Sequence, residues 1–215
     1  MYKRILTSAL AVFLISATCV SKDNVTLAGN VILPRPAGIE ILDGAYIFTG
    51  EPTVKVVRKK GPAESYTLEI SRKGVKILAA DEAGEFYARQ SLAQLLNAAE
   101  KENGQASLQC QIIEDCPRFP YRGLHIDVSR HFFSIDFIKK QVDAMAMFKM
   151  NRLHLHLTDA AGWRMEIESW PRLTEYAAWR PEANWKAWWN GDRAYVEEGT
   201  PGAYGGYYTK EELKS

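Results

Sequence analysis

The feature that most constrains the fold is a segment in which two short strands flank one helix. Residues 123–129 read as a strand, GLHIDVS, and residues 152–158 read as a second, RLHLHLT. Between them Ser134 can cap a helix. Four apolar side chains recur along one face of that helix: Ile138, Val142, Met145 and Phe148. Strand, helix and strand at this spacing form a βαβ unit with parallel strands, so the segment predicts an α/β fold.

The second strand carries different chemistry on its two faces. Three leucines alternate with the polar residues Arg152, His154, His156 and Thr158. An open parallel sheet covered by helices needs apolar residues on both faces, whereas a polar face suits the interior of a barrel. In such barrels functional residues gather where strands end and βα loops begin. We therefore predict functional side chains at Arg130, after the first strand, and at Asp159, after the second.

Residues 26–117 are predicted to form a separate, smaller α/β domain. Three strand-like stretches and one helical stretch follow one another in it: residues 66–70, 74–79, 88–99 and 107–113. None of them carries a chemical motif. A rigid Pro-Arg-Phe-Pro connector follows, and residues 118–215 are predicted to begin a (β/α)8 barrel. Such a barrel needs about 250 residues. A capping box at Thr209 and Glu212 also begins a helix close to the last residue, so we expect a truncated barrel.

The first 19 residues have the pattern of an export signal. Lys3 and Arg4 precede an apolar run over residues 5–15, which is shorter than the roughly 20 residues of a membrane span. Small residues then lead to Cys19, where either simple cleavage or lipid attachment is open. We predict an exported protein, periplasmic, extracellular or an outer-membrane lipoprotein. A lipid anchor at Cys19 is the only membrane contact expected.

Charge and cysteine content exclude several classes of function. The formal net charge is +1 with 25% charged residues, which gives no basic surface for nucleic acid. Beyond the signal only Cys110 and Cys116 remain, too few for a disulfide framework or a zinc ribbon. Alternation places Cys110 on the apolar face of a strand. A buried free thiol is the favoured interpretation, and a bridge to Cys116 stays open.

Several motifs resemble the opening of the catalytic barrel of β-N-acetylhexosaminidases of glycoside hydrolase family 20. Residues 121–133 read YRGLHIDVSRHFF, and residues 149–159 read KMNRLHLHLTD. The similarity continues in GWR, WPRLT, AWR and GGYYT at residues 162–164, 170–174, 178–180 and 205–209. The resemblance implies a small N-terminal α/β accessory domain followed by a (β/α)8 TIM barrel.

The resemblance also implies a reaction. Enzymes of this family hydrolyse terminal non-reducing β-linked N-acetylglucosamine or N-acetylgalactosamine from glycans, with retention of configuration. The 2-acetamido oxygen of the substrate attacks the anomeric carbon, an exception to the two-carboxylate scheme. An Asp-Glu pair late in the barrel orients that group and protonates the leaving oxygen. No residue of this chain matches the pair, so the 215-residue chain alone is expected to be inactive. No cofactor and no metal are implied.

Two site residues carry over from the family. Arg130 matches an arginine that hydrogen-bonds hydroxyls of the terminal sugar, as its fork of donors suits. Asp159 matches an aspartate that holds a downstream histidine in contact with the catalytic glutamate. A structural salt bridge and a turn cap are the alternative roles. Many members have an acid and a glutamine next, where this chain has Ala160 and Ala161.

Other interpretations stay open. His154 and His156 stand two apart on one strand, as metal ligands do in some metal-dependent barrel hydrolases, although there on the first strand. A non-catalytic glycan-binding fragment is a further alternative. All six tryptophans lie within residues 163–189. Three of them could line outer sugar subsites, namely Trp185, Trp188 and Trp189, but packing against the barrel rim is favoured for most of the tryptophans.

Overall fold

A computed structural model describes residues 31–99 and 101–215. The predicted signal at residues 1–19, including Cys19, lies outside the described residues. Within the described part of the chain, no helix is both long enough and apolar enough to cross a membrane.

The first half of the described chain is one sheet with one helix packed on it. The elements are β1 Gly38–Thr49, β2 Val54–Arg58, β3 Tyr66–Ser71, β4 Gly74–Ala79, α1 Glu82–Ala98, β5 Lys101–Glu102 and β6 Gln105–Asp115. The strand order is β1-β6-β3-β4-β2, with β5 also paired to β6. Only the β2–β4 pair is parallel. The predicted strands and helix of this half are confirmed, whereas β1 and β2 were not predicted.

Alternation along β3 and β4 explains why α1 packs against the sheet. Leu68 and Ile70 on β3 and Ile77 on β4 are at most 1% exposed and face the helix, which contributes Leu92 and Leu95 to the same core. At the start of the helix, the carboxylate of the N-cap residue Asp81 accepts hydrogen bonds from two backbone N–H groups. The donors are Gly84 at 2.8 Å and Glu64 at 2.7 Å. The sequence pattern marked only residues 88–99, so it identified the helix but not its first turns, which Asp81 caps.

The second half opens with the predicted βαβ unit, which is confirmed. Its elements are β7 Gly123–Asp127, α2 Ile135–Met147 and β8 Arg152–His156. The two strands run parallel, with His125 opposite His154. As predicted, Ser134 caps α2: its hydroxyl accepts from the N–H of Phe137 at 3.3 Å. The chain is thus an α/β protein in which a small α/β domain precedes the first βαβ unit of a barrel.

Both strands of this unit end earlier than the sequence pattern predicts. The carboxylate of Asp127 accepts hydrogen bonds from the N–H groups of Ser129 and Arg130, both at 3.0 Å, and so turns the chain out of β7. After β8, Thr158–Asp159 (β9) pairs antiparallel with Gly162–Trp163 (β10). Asp159 therefore lies in a short hairpin above the barrel strand.

The apolar stripe of α2 is only half buried. Ile138 and Met145 are buried, but Val142 is 45% exposed and Phe148 is 39% exposed. The helix ends five residues before β8 begins. Its last residue is Met147, and Lys149 adopts a left-handed conformation with φ of 59°. Helical spacing identified the face, but it could not show how much of that face neighbouring elements cover.

The remaining elements are short and follow β10 along the chain. They are α3 Arg172–Glu175, β11 Trp179–Arg180, α4 Trp185–Asn190, β12 Tyr204–Gly205 and α5 Lys210–Lys214. β11 and β12 pair antiparallel. The predicted capping box is confirmed: Thr209 and Glu212 exchange side-chain to backbone hydrogen bonds at the start of α5. Cys110 is buried, and it and Cys116 are free thiols, so the alternative bridge is absent.

A buried polar cluster joins the two halves. The Lys149 ammonium contacts the Asp115 carboxylate at 3.0 Å and donates to the Tyr66 hydroxyl at 2.8 Å. The Tyr66 hydroxyl in turn lies 2.7 Å from Oγ of Ser91 on α1. Burial lowers the pKa of Lys149, while the charge of Asp115 opposes that shift. One cation from the barrel half therefore binds groups on two strands of the first sheet.

Candidate substrate-binding site

Arg130 and Asp159, the two residues predicted from the sequence, lie in contact. Nη2 of Arg130 is 2.8 Å from Oδ2 of Asp159, and Nη1 is 2.9 Å from Oδ2 of Asp127. The turn after β7 carries the arginine, and the β9–β10 hairpin carries Asp159. Two carboxylates thus hold one guanidinium between the ends of adjacent parallel strands. Their predicted roles in binding and support remain predictions.

His156, the last residue of β8, completes the cluster. Its Nε2 lies 3.1 Å from Oδ2 of Asp159 and 3.3 Å from Nη1 of Arg130. Arginine can only donate and an ionised aspartate can only accept, so an Nε2 that carries the proton donates to Asp159. The four side chains are each about one third exposed. The cluster therefore lies at the carboxyl ends of the two strands and is accessible to a ligand.

The Asp159 carboxyl is set up to stay ionised. The hydrogen bond from the N–H of Ala160, 2.6 Å from Oδ1, is the largest cause that lowers its pKa. The charges of Arg130 and His156 lower the pKa further. Because the pKa in the folded protein lies below the ordinary value of 3.8, the contact with Arg130 is complete above that pH. It is lost only as the pH falls through the lowered pKa.

We expect the Asp159 carboxyl to titrate below its ordinary pKa even when Arg130 is replaced. Arg130→Ala removes one favourable charge but keeps the N–H of Ala160, which is the larger cause. The pKa should therefore rise yet stay below 3.8. A carbon-13 NMR titration of the labelled aspartate carboxyl measures both values. A pKa at or above 3.8 in the variant would show that Arg130 is the dominant cause.

The guanidinium of Arg130 keeps donors for a ligand. Among the described residues, its contacts engage Nη1 and Nη2 and leave Nε without a partner. Arginine has five N–H donors in a planar fork. The side chain is 34% exposed. Such a fork, already oriented by Asp127 and Asp159, can donate to two neighbouring hydroxyl groups of a sugar.

The histidine pair proposed as a metal site is arranged differently. The His154 ring packs edge-on against the His125 ring, with centroids 4.6 Å apart, while His156 contacts Asp159. Across residues 31–99 and 101–215, no three His, Cys, Asp or Glu side chains converge as ligands for a metal ion. The metal-dependent alternative therefore has no ligand set in the described part of the chain.

The tryptophans of α4 divide into packed and exposed side chains. Trp188 is 2% exposed, and its indole N–H donates to the carbonyl of Ala194 at 2.6 Å. Trp185 and Trp189 are 36% and 42% exposed. Arg193 lies over the ring of Trp189, 4.2 Å from its centroid. The packing role favoured from the sequence fits Trp188, while the other two present their rings at the surface.

Sequence reasoning missed three residues that build this site. Asp127 was seen only as part of a strand, although an Asx residue at a strand end commonly forms a turn. Arg164 and Arg180 appeared only within the family-like motifs GWR and AWR. Both are at most 1% exposed and bind backbone carbonyls of the site loops. No local pattern in the sequence marks an arginine as buried.

Two family models match the chain. The catalytic domain of glycosyl hydrolase family 20 matches residues 119–215, and domain 2 of the same family matches residues 53–116. Together the two matches run from residue 53 to the last residue with a gap of two. The order of the two domains is the order of the two halves in the structure.

Curated relatives with similar sequences are named as hexosaminidases or as a chitobiase. A β-hexosaminidase of Porphyromonas gingivalis is 38% identical over 175 residues, which are 80% of this chain and 20% of that relative. An N,N'-diacetylchitobiase of Vibrio harveyi is 46% identical over 131 residues, which are 61% of this chain and 14% of that relative. The chain therefore spans about a fifth or less of the length of these relatives.

Solved structures resemble the chain as well. A GH20 exo β-N-acetylglucosaminidase from Vibrio harveyi, in complex with N-acetylglucosamine, aligns with a TM-score of 0.71 and 30% identity over 87% of this chain and 33% of that chain. A β-N-acetylhexosaminidase from Bacteroides fragilis aligns with a TM-score of 0.67 and 28% identity, over 86% and 41%. With both domain models, these matches lead to one conclusion: the chain belongs to glycosyl hydrolase family 20.

Proposed function

We propose that the protein to which this chain belongs hydrolyses terminal, non-reducing β-linked N-acetylhexosamine residues of glycans. The mechanism is the retaining, substrate-assisted one that the family resemblance implies. This chain supplies the part of the site that holds the sugar. The catalytic acid and the residue that orients the acetamido group have no match within it, so the 215-residue polypeptide alone is expected to bind at most weakly and not to hydrolyse.

The observation that carries the proposal is the contact between Arg130 and Asp159. Two residues 29 positions apart in the sequence, both at positions that match family motifs, lie 2.8 Å apart near the ends of adjacent strands. Arg130 retains donors for sugar hydroxyls, and Oδ2 of Asp159 lies 3.1 Å from Nε2 of His156. This arrangement supports a role in holding a neutral, hydroxyl-rich substrate and in orienting a neighbouring imidazole.

The proposal is tested with two matched chromogenic substrates and the product of the complete gene. An aryl 2-acetamido-2-deoxy-β-glucoside carries the acetamido nucleophile, whereas the corresponding aryl β-glucoside carries a hydroxyl at that position. We expect hydrolysis of the first and only background release from the second, because the substrate supplies the attacking oxygen. Equal rates on both substrates would contradict the mechanism. Sugar binding without any hydrolysis would favour the non-catalytic alternative.

We also propose that the protein is exported through the signal at residues 1–19. The support is the sequence pattern alone: a basic start, an apolar run and small residues before Cys19. Mass spectrometry of the mature protein measures its N-terminus, and we expect residues 1–18 or more to be absent. Lipid on Cys19 that disappears in Cys19→Ala would identify a lipoprotein, and an intact Met1 would contradict export.

A further inference from the structure

Two fully buried arginines lie directly behind the candidate site. Arg164 is 0% exposed and Arg180 is 1% exposed. Across residues 31–99 and 101–215, neither one forms a salt bridge with a carboxylate. Each instead donates only to backbone carbonyl oxygens. Burial lowers the pKa of Arg164 to about 10 and also lowers the pKa of Arg180.

Arg180 connects the two loops that carry the predicted site residues. Its Nη2 donates to the carbonyl of Arg130 at 2.8 Å, and its Nη1 donates to the carbonyl of Ala161 at 2.6 Å. Ala161 lies two residues after Asp159 in the β9–β10 hairpin. The same guanidinium also binds the carbonyls of Glu182 and Ala183. One rigid, planar group thus fixes the separation of the two loops.

The backbone of Arg130 is consequently held from both sides. Its N–H donates to Asp127, and its carbonyl accepts from Arg180. With both peptide groups fixed, the side chain leaves the turn in one direction, toward Asp159. A lysine at position 180 would offer a point charge rather than a fork, so it would not span both carbonyls in the same way.

Burying a cation without a carboxylate partner costs free energy, and this chain buries two such cations next to its candidate site. Desolvation of a charged group costs several kcal/mol, which fixed dipoles must offset. A core that needed only volume could use an apolar side chain there. Two of the four carbonyls that Arg180 binds, those of Arg130 and Ala161, belong to the loops that carry Arg130 and Asp159. This pattern indicates that the group serves to position those loops.

From this geometry we infer that Arg180 is a positioning residue for substrate binding. It acts through Arg130 by keeping that guanidinium aligned with Asp159 and the sugar hydroxyls. This inference rests on the proposed function. It predicts that substitutions at positions 180 and 130 have coupled effects on turnover. Both substitutions abolish the same alignment of the Arg130 guanidinium with the sugar hydroxyls.

The test is a double-mutant cycle on the product of the complete gene with an aryl N-acetylglucosaminide. Arg180→Lys and the uncharged Arg180→Gln are each combined with Arg130→Ala. We expect each single variant at position 180 to lower kcat/KM about tenfold, chiefly through KM. In the Arg130→Ala background the same changes should cost less than about twofold. Lys149→Met, a buried cation at the join between the halves, is the control: its melting temperature should fall while kcat/KM stays within about twofold.

Each outcome either supports or overturns the role of Arg180. Losses that add in full, or a kcat/KM unchanged at position 180, would overturn the role of Arg180. Failure of both Arg180 variants to fold, beside a folded Lys149→Met, would assign the residue to the core and overturn it as well. An inactive unsubstituted protein would instead contradict the proposed function, and the inference would fall with it. Coupled losses in folded variants would support it.

Discussion

Arg130→Ala is expected to lower kcat/KM of the product of the complete gene by on the order of 100-fold, or about 3 kcal/mol. Arg130 contacts Asp127 at the end of β7 and Asp159 after β8, and it keeps donors for a ligand. Its loss removes charged hydrogen bonds to sugar hydroxyls and leaves Asp127 and Asp159 without their shared cation. The measurement is steady-state hydrolysis of an aryl N-acetylglucosaminide.

Two control variants separate the loss of the guanidinium fork from the loss of charge alone. Arg130→Lys keeps the charge but loses the fork, so it should recover only part of the loss. Arg152→Ala removes an exposed arginine from the start of β8, whose side chain donates to the carbonyl of Asn151, and should leave kcat/KM unchanged. The melting temperature of Arg130→Ala should change little, because its ion pairs are partly exposed. Full activity of Arg130→Ala would remove this residue from the site.

Lys149→Met is expected to destabilise the chain by about 3 kcal/mol. The Lys149 side chain is 7% exposed and that of its partner Asp115 is 17% exposed. Removing one member of a buried pair leaves the other as an uncompensated charge, and that cost is typically about 3–5 kcal/mol. The hydroxyl of Tyr66 also loses a donor. Urea unfolding of the 215-residue chain, followed by circular dichroism, measures the change in unfolding free energy.

The same substitution at an exposed pair is the matched control. Lys76 contacts Glu69 at 3.2 Å, and both side chains are more than one third exposed. Lys76→Met should therefore change the unfolding free energy by less than about 1 kcal/mol. Adding Asp115→Leu to Lys149→Met should restore part of the lost stability, since no charge is then left unpaired. Equal effects of Lys149→Met and Lys76→Met would show that the cluster does not hold the halves together.

Regular periodicity made much of the fold predictable. Each of β4, α1 and the βαβ unit has apolar residues at a regular spacing, because one face of each element packs against the core. The strand β1 was missed because its exposure along Gly38–Thr49 does not alternate cleanly and its pairing shifts between Ile41 and Ala45. The end of β7 was placed too late, because an Asp127 side chain replaced the ladder with a turn. Local competition of that kind is invisible to a hydrophobic pattern.

The sequence indicated candidate residues for the site but not their contacts. Motif positions indicated Arg130 and Asp159, and strand-end logic placed both at the same edge. Neither source could show that Asp127 and His156 share the cluster, since that depends on side-chain direction in the folded chain. Arg180 was hidden for a different reason. A buried arginine bound to carbonyls has no partner of opposite charge in the sequence to reveal it.

A crystal structure of the product of the complete gene with N-acetylglucosamine bound would show whether Arg130 holds the sugar. We expect the guanidinium of Arg130 to donate to ring hydroxyls of the sugar while Nη2 still contacts Asp159, as it does at 2.8 Å in the free chain. A sugar bound elsewhere, with Arg130 touching only Asp127 and Asp159, would contradict the claim that this chain holds the substrate.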